Sequence, residues 1–398
     1  MRIVLFYQSL ISDWNHGNAH FLRGIASELL ARGHEVEVYE PRDSWSVQNL
    51  VAEHGREPLV NFQNTFPHLK SHRYDCRGGP SWPPQVDEKA PAIPRWGGHG
   101  GPPLQLNRDD ALENAQLVIV HEWNEPELIE RIGEYRRING NFVLLFHDTH
   151  HRMAGQVTLP FSLKDYDGVL AYGQVLNDMY MRNGWTKRAW TWHEAADVRI
   201  FHPLPKIPRT LDLVWIGNWG DDERTAELHE FLVQPVKDLQ LNAEVYGVRY
   251  PPEAIADLES AGIRYRGWLP NYKVPEAFAS ARVTLHIPRR PYVKELPGIP
   301  TIRPFEALAC GIPLICSPWH DTEHLFTPGK DFLIARNGDD EMKQFINKVL
   351  SEPVFAEELA INGLATIKQR HTCGHRVDEL LEIYAEIVTE TREMVATI

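Results

Sequence analysis

The residues best suited to chemistry lie together near position 305. Glu306 and Arg303 fall within the segment 301–315. Pro304 suits the first turn of a helix, because its missing N–H would be unpaired there, and Gly311 suits the helix end. The spacing predicts that Glu306 lies in the first turn, where the helix dipole favours an ionised carboxylate. Free N–H groups and Arg303 could bind an anion beside it, so a sugar nucleotide fits both features.

Polar side chains also follow two predicted strands in the N-terminal half. Leu117–Val120 and Phe142–Phe146 are apolar runs of strand length, and His147 comes directly after the second run. His16 lies in the polar loop that follows the first predicted strand, Arg2–Tyr7. Ligands of open α/β sheets bind outside the carboxyl ends of the strands. His147 and His16 are therefore candidate site residues.

The elements that would position these residues form two series of alternating strands and helices. Arg2–Tyr7 and His34–Tyr39 flank a helix whose apolar residues recur at helical spacing, which favours a parallel sheet. A second series begins near Leu211 and includes a predicted helix over Glu223–Val233. We therefore predict an α/β protein with two Rossmann-like, doubly wound parallel-sheet domains facing a cleft.

The predicted domains are 1–203 and 204–372, joined at a Pro-rich hinge. Between about 61 and 107 the pattern breaks in a stretch rich in Pro and Gly, which predicts an irregular insert in the first domain. We expect the C-terminal helix, 373–398, to pack back onto the N-terminal domain.

Composition excludes several classes of protein. Lys plus Arg is 41 and Asp plus Glu is 54, so the net charge of −13 argues against a general nucleic-acid binder. The four cysteines contain no CxxC pair, so no zinc ribbon or disulfide framework is indicated, and we expect no bound metal. The sequence contains no run of 18 apolar residues, which a membrane-spanning helix would need, and we expect a cytoplasmic protein.

Several motifs then carry a resemblance to a known family. Pro304–Ile315 reads P-F-E-A-L-A-C-G-I-P-L-I and resembles the nucleotide-binding helix of GT-B glycosyltransferases. Gly17–Val36, Glu194–Pro203, Tyr265–Pro270 and Phe326–Asp331 resemble further segments of that family in the same order. The chain is most similar to the group-1 and family-4 type, and within it to spore-maturation glycosyltransferases.

The resemblance implies a metal-independent enzyme that moves a sugar from a nucleoside diphosphate to an acceptor hydroxyl, with no cofactor. Seven residues would bind the donor: Glu306, Arg303, Thr301, Arg224, Gly217, Asn218 and Trp268. Glu306 would hold the ribose, and Trp268 belongs to the turn that faces the base. The others would surround the diphosphate. His147 would contact the transferring sugar, and His16 lies where inverting enzymes place their base.

One departure from the family leaves the stereochemistry open. Many retaining members carry two glutamates eight residues apart, but the position eight before Glu306 is Gly298. A sugar-nucleotide 2-epimerase of the same fold and a non-catalytic sugar-nucleotide-binding protein are the alternatives. The donor base (UDP, GDP or ADP), the acceptor (a saccharide, lipid or small molecule) and the oligomeric state stay open.

Overall fold

Two parallel β-sheets organise the chain. The computed structural model describes residues 1–74, 111–153 and 156–396. Among these residues, the first sheet has seven strands in the order β3-β2-β1-β4-β5-β6-β7, and the second has six in the order β10-β9-β8-β11-β12-β13. Every strand pair in both sheets is parallel. The predicted α/β fold with two parallel-sheet domains is confirmed.

The strands of the first sheet are β1 (Arg2–Phe6), β2 (Glu35–Pro41), β3 (Ser71–Tyr74), β4 (Leu117–His121), β5 (Val143–Asp148), β6 (Gly168–Ala171) and β7 (Ala189–Thr191). The strands of the second sheet are β8 (Leu211–Ile216), β9 (Ala243–Tyr246), β10 (Ile263–Tyr265), β11 (Ala281–His286), β12 (Leu314–Cys316) and β13 (Leu333–Ile334). Central strands such as β4 and β5 are buried along their whole length. Both faces of these strands are covered, which is why their sequences are continuous apolar runs.

The helices of the first domain are α1 (Asn18–Ala31), α2 (Trp45–His54), α3 (Glu57–Thr65), α4 (Pro126–Asn139) and α5 (Gln174–Arg182). The helices that follow β8 are α6 (Thr225–Leu228), α7 (Gln234–Leu239), α8 (Pro252–Ser260), α9 (Val274–Ala279), α10 (Arg290–Lys294), α11 (Ile302–Ala309), α12 (Gly338–Ser351), α13 (Pro353–Arg370) and α14 (Cys373–Ala396). None of the helices described is both long and apolar enough to cross a bilayer.

Two sequence-based predictions need correction. The irregular insert does not begin at 61, because 57–65 form α3 and 71–74 form the edge strand β3; residues 75–107 of it lie outside the described part of the chain. The single helix predicted over 223–233 is three segments: a 3₁₀ turn, α6 and a π-helical stretch, His229–Val233, that leads into α7. The apolar spacing continues through such a stretch, so periodicity alone did not reveal it.

The C-terminal helix α14 packs against α1 of the first domain. Val377 and Leu380 share a buried cluster with Ile25. A Cβ on Gly24 would lie 2.4 Å from the Cys373 Sγ, so only glycine permits this close approach. Burial of these apolar side chains stabilises the packing of the last helix of the chain against the first.

Candidate functional site

A crevice lies between the carboxyl edges of the two sheets. Five of the predicted site residues line it: His16 from the first domain, and Gly217, Asn218, Trp268 and Arg303 from the second. Two loops meet across it, since Asn218 donates from Nδ2 to the Asn15 Oδ1. The other four predicted residues lie behind this lining or deeper in the first domain. The sequence patterns therefore selected residues that the fold places around one interdomain boundary.

Helix α11 begins at the crevice. Its N-cap is Thr301, so Arg303 is in the first turn, and Glu306, the fifth helical residue, falls in the second. The prediction that Glu306 lies in the first turn was therefore wrong, because Ile302 also belongs to the helix. Ile302 is buried in the core cluster of the first domain, which explains the earlier start. Since the dipole effect fades beyond the first turn, side chains must hold the Glu306 charge.

Glu306 is fully buried and has three side-chain partners. Its Oε1 accepts from the His20 Nδ1 at 2.7 Å and the Asn271 Nδ2 at 2.8 Å, and its Oε2 accepts from Arg303. Burial would raise the pKa of Glu306, but Arg303, His20 and Asn271 together hold that pKa below its usual value. The carboxylate is therefore ionised and sits at the contact between the domains, because His20 belongs to α1.

Arg224 places a partly buried positive charge beside the crevice lining. Its guanidinium donates to the carbonyl oxygens of Ile287 (2.8 Å), Trp219 (3.3 Å) and Asn218. Within the part of the chain that the structure describes, no carboxylate forms an ion pair with it. Burial and Arg289 lower the pKa of Arg224 to about 9. A desolvated cation of this kind favours an anionic ligand.

Arg303 adds a second positive charge close to Arg224, and His286 senses both. Burial, Arg224 and Arg303 lower the pKa of His286 to about 3, so both guanidinium groups act on one imidazole. The Nε2 of His286 lies 3.4 Å from the Thr301 Oγ1 at the N-cap of α11. Thr301 thus contacts the imidazole on which both guanidinium groups act, although it does not line the crevice.

The first loop of the N-terminal domain supplies residues that the sequence did not reveal. The Asp13 carboxylate accepts from the Trp268 Nε1 (3.1 Å), the Asn271 backbone N–H (3.1 Å) and Arg23 (2.8 Å). Asn15 has a φ of 47°, a left-handed conformation that asparagine tolerates better than most residues. Asp13 therefore fixes Trp268 across the boundary, and a signal for this role existed only in the polar character of the loop.

His16 and His147 are both buried histidines with an unused ring nitrogen. The Nε2 atoms of both lack a partner among the described residues, while the His147 Nδ1 lies 2.6 Å from the Tyr7 hydroxyl. Burial lowers the pKa of His147 to about 3, and burial together with Arg23 does the same for His16. A general base works best with a pKa near the operating pH. Because the pKa of each imidazole is this low, both groups suit hydrogen bonding better than proton abstraction.

Glu194 is a second buried carboxyl group near Glu306. It accepts a hydrogen bond from the Asn18 Nδ2 at 3.2 Å. Burial raises the pKa of Glu194 to about 8; Asn18 and Arg303 oppose that increase and Glu306 adds to it. In the sequence, this residue stood out only as the first of the segment Glu194–Pro203, which resembles a segment of the GT-B family.

The backbone at Gly298 does not suit the first glutamate that many retaining members of the resembled family carry at this position. Its φ is +96°, and a Cβ would lie 1.9 Å from the Thr322 Oγ1. This backbone cannot carry a glutamate without rebuilding the turn. The donor-sugar contact expected from that position must come from another residue or be absent.

Comparisons with known proteins agree with this architecture. Residues 224–382 match a family described as "Glycosyl transferase-like". Sucrose-phosphate synthase from Thermosynechococcus elongatus is similar in structure, with a TM-score of 0.64 and 14% identity over 98% of this chain and 100% of that one. HepE from Anabaena, solved in complex with UDP-glucose, has a TM-score of 0.61 and 14% identity over 96% and 99%.

Two further findings complete the comparison. The β-glucosyltransferase of phage T4, solved with its UDP-glucose substrate, has a TM-score of 0.56 and 13% identity over 97% of this chain and 99% of that one. No curated protein sequence matches the chain. The fold is that of the GT-B glycosyltransferases. Within this fold, residues 224–382 are similar to that glycosyltransferase-like family.

Proposed function

We propose that the protein transfers a sugar from a nucleoside diphosphate to an acceptor hydroxyl. The observation that carries the proposal is the ionised Glu306 beside Arg303 at the start of α11, where the second domain meets the first. A carboxylate suits the two hydroxyls of a ribose, and the helix start with its arginine suits the diphosphate. The Glu306 carboxylate has about four acceptor positions, of which three are filled. Ribose hydroxyls would use the remaining position and replace Asn271 or Arg303 at another.

The leaving diphosphate would be stabilised by arginines instead of a metal. Arg224 and Arg303 both act on His286, and Arg289 is close enough to Arg224 to lower its pKa. Negative charge develops on the diphosphate as the glycosidic bond breaks, and preorganised cations lower that barrier. In this proposal Gly217 and Asn218 approach the same phosphates through the loop after β8.

The sugar end of the donor would face the first domain. The free Nε2 atoms of His16 and His147 can each make a hydrogen bond to a hydroxyl. Because the pKa of both groups is about 3, we propose that the departing phosphate takes the acceptor proton. Trp268, held by Asp13, would lie beside the base.

The proposal is tested by following donor consumption. UDP-, GDP- and ADP-glucose are each incubated with the enzyme and a panel of saccharide, lipid and small-molecule acceptors, with EDTA present in half of the samples. We expect nucleoside diphosphate release that depends on an acceptor and is unchanged by EDTA. Sugar inversion at C2 without an acceptor, watched by NMR, would instead identify an epimerase. Binding without turnover on any acceptor would identify a non-catalytic binding protein, an outcome that Gly298 makes worth testing.

Within the class, the motif Pro304–Ile315 favours the spore-maturation type. Because this motif does not specify the acceptor, the acceptor panel includes saccharides as well as lipids.

A further inference from the structure

His20 is a buried histidine with a partner on each ring nitrogen. It lies in the first turn of α1 and is 2% exposed. Its Nε2 is 2.8 Å from the backbone nitrogen of Asp197, and its Nδ1 is 2.7 Å from the Glu306 Oε1. A backbone N–H can only donate, so Nε2 is the acceptor. The ring proton is therefore on Nδ1, which donates to Glu306.

The imidazole is also fixed by a ring contact. It stacks on Phe201, with centroids 4.1 Å apart and an interplanar angle of 15°. Phe201 and Asp197 belong to the segment that leaves the first domain, and Ala196 pairs there with Thr372 on the segment that returns to it. His20 thus sits where the two connections between the domains run side by side. Its orientation is set by the first domain and the connections, while the group it contacts belongs to the second domain.

We propose that His20 is a positioning residue for the donor, acting through Glu306. The Nδ1–H bond holds the Glu306 Oε1 in place, so that the acceptor position that remains, on Oε2 beside Arg303, is directed at the ribose. The donor-binding carboxylate of the second domain is then in its working orientation only when the first domain is docked against it. This inference rests on the proposed role of Glu306 in binding the ribose.

A matched pair of substitutions separates the two bonds of the ring. The amide nitrogen of asparagine is as far from Cβ as the histidine Nδ1, so His20→Asn keeps the donor to Glu306 and loses the acceptor for Asp197. The amide oxygen of glutamine corresponds to Nε2, so His20→Gln keeps the Asp197 contact and loses the Glu306 contact. Both variants remove the stacking on Phe201, which makes each the control for the other.

Calorimetric titration of the full chain with UDP, GDP and ADP measures the effect. For the nucleotide that binds the wild type, we expect His20→Gln to bind about tenfold more weakly or worse and His20→Asn to stay within about threefold of the wild type. Equal losses in the two variants, or a larger loss in His20→Asn, would overturn the proposal. Urea unfolding of both variants shows whether a difference in nucleotide binding merely follows a difference in stability.

A measurement on the unmodified chain keeps the proposal testable if either variant fails to fold. In ¹⁵N-labelled protein, two-bond proton–nitrogen correlations should give His20 the pattern of an Nδ1–H ring. The pattern of an Nε2–H ring would overturn the proposal. Failure of the proposed function itself would be seen differently, as no binding of any nucleotide to the wild type or no effect of Glu306→Gln on that binding.

Discussion

Replacing Glu306 with glutamine tests the role of the buried carboxylate. The change keeps the shape of the side chain but removes its charge and turns one oxygen into an N–H donor. Arg303, His20 and Asn271 all donate to the carboxylate in the native protein. The amide can still accept from one side, while its NH₂ group faces a donor on the other.

The expected magnitude follows from those contacts. Hydrogen bonds to a charged group contribute about 1.5–3 kcal/mol, and a buried charge left without its partner costs more. We expect Glu306→Gln to lower the free energy of unfolding by about 2–4 kcal/mol. If ribose hydroxyls bind the carboxylate, the same range of bond energies weakens nucleotide binding by about 10- to 150-fold.

The assay compares nucleotides with and without ribose hydroxyls. Wild type and Glu306→Gln are titrated calorimetrically with UDP and with 2′,3′-dideoxy-UDP, and with the GDP and ADP pairs in parallel. We expect the substitution to weaken binding of the hydroxylated nucleotide and to leave the dideoxy form almost unchanged. Glu341→Gln is the matched control, since Glu341 accepts from the backbone N–H groups of Arg336 and Asn337 and does not line the crevice. Equal weakening of both nucleotide forms would refute the reasoning.

Three further predictions, made for His147, Glu194 and Gly298, test the electrostatics and the backbone of the site. The pKa of His147 is about 3 in the folded protein and about 6.5 when unfolded, so stability falls as pH drops through that range, by up to about 1.4 kcal/mol per pH unit. Free energies of unfolding, measured with urea at several pH values between 4 and 6, should therefore depend less steeply on pH in His147→Asn than in the wild type. An equal pH dependence in the two proteins would contradict this. The pKa of Glu194 is raised to about 8, so its contribution to stability is lost as pH rises from about 4.5 to 8. Glu194→Gln should remove that part of the pH dependence. If the free energy of unfolding changed between pH 5 and pH 8 by the same amount in the variant and the wild type, this prediction would be wrong. Gly298→Ala should lower the free energy of unfolding by about 1–3 kcal/mol, because φ is positive and the new Cβ meets Thr322. Thr322→Ala should recover only part of that loss, and full recovery would show that the backbone conformation is not strained.

The central strands of both sheets could be predicted because burial leaves a clear pattern in this sequence. Strand β4 is buried throughout and was predicted within one residue of its observed range. Helix α3 and strand β3 were missed because their apolar residues are few and lie in short elements at the sheet edge. The π-helical stretch before α7 was missed because it keeps an apolar face.

The candidate site could be predicted only in part. Glu306 and Arg303 could be proposed as site residues because their motif is local, and the helix boundaries set their relation to each other. His20 pairs with Glu306 across 286 residues, and no spacing rule connects positions so far apart. Asp13 and Asn271 were missed for the same reason, since their roles exist only where the two domains meet. Contacts between domains depend on docking, which local patterns do not encode.

A crystal structure of the protein with a bound nucleoside diphosphate tests the central claim most directly. We expect the ribose hydroxyls within hydrogen-bonding distance of the Glu306 carboxylate and the phosphates near Arg303 and the start of α11. A nucleotide bound elsewhere, with Glu306 still engaged only by His20, Asn271 and Arg303, would contradict the account.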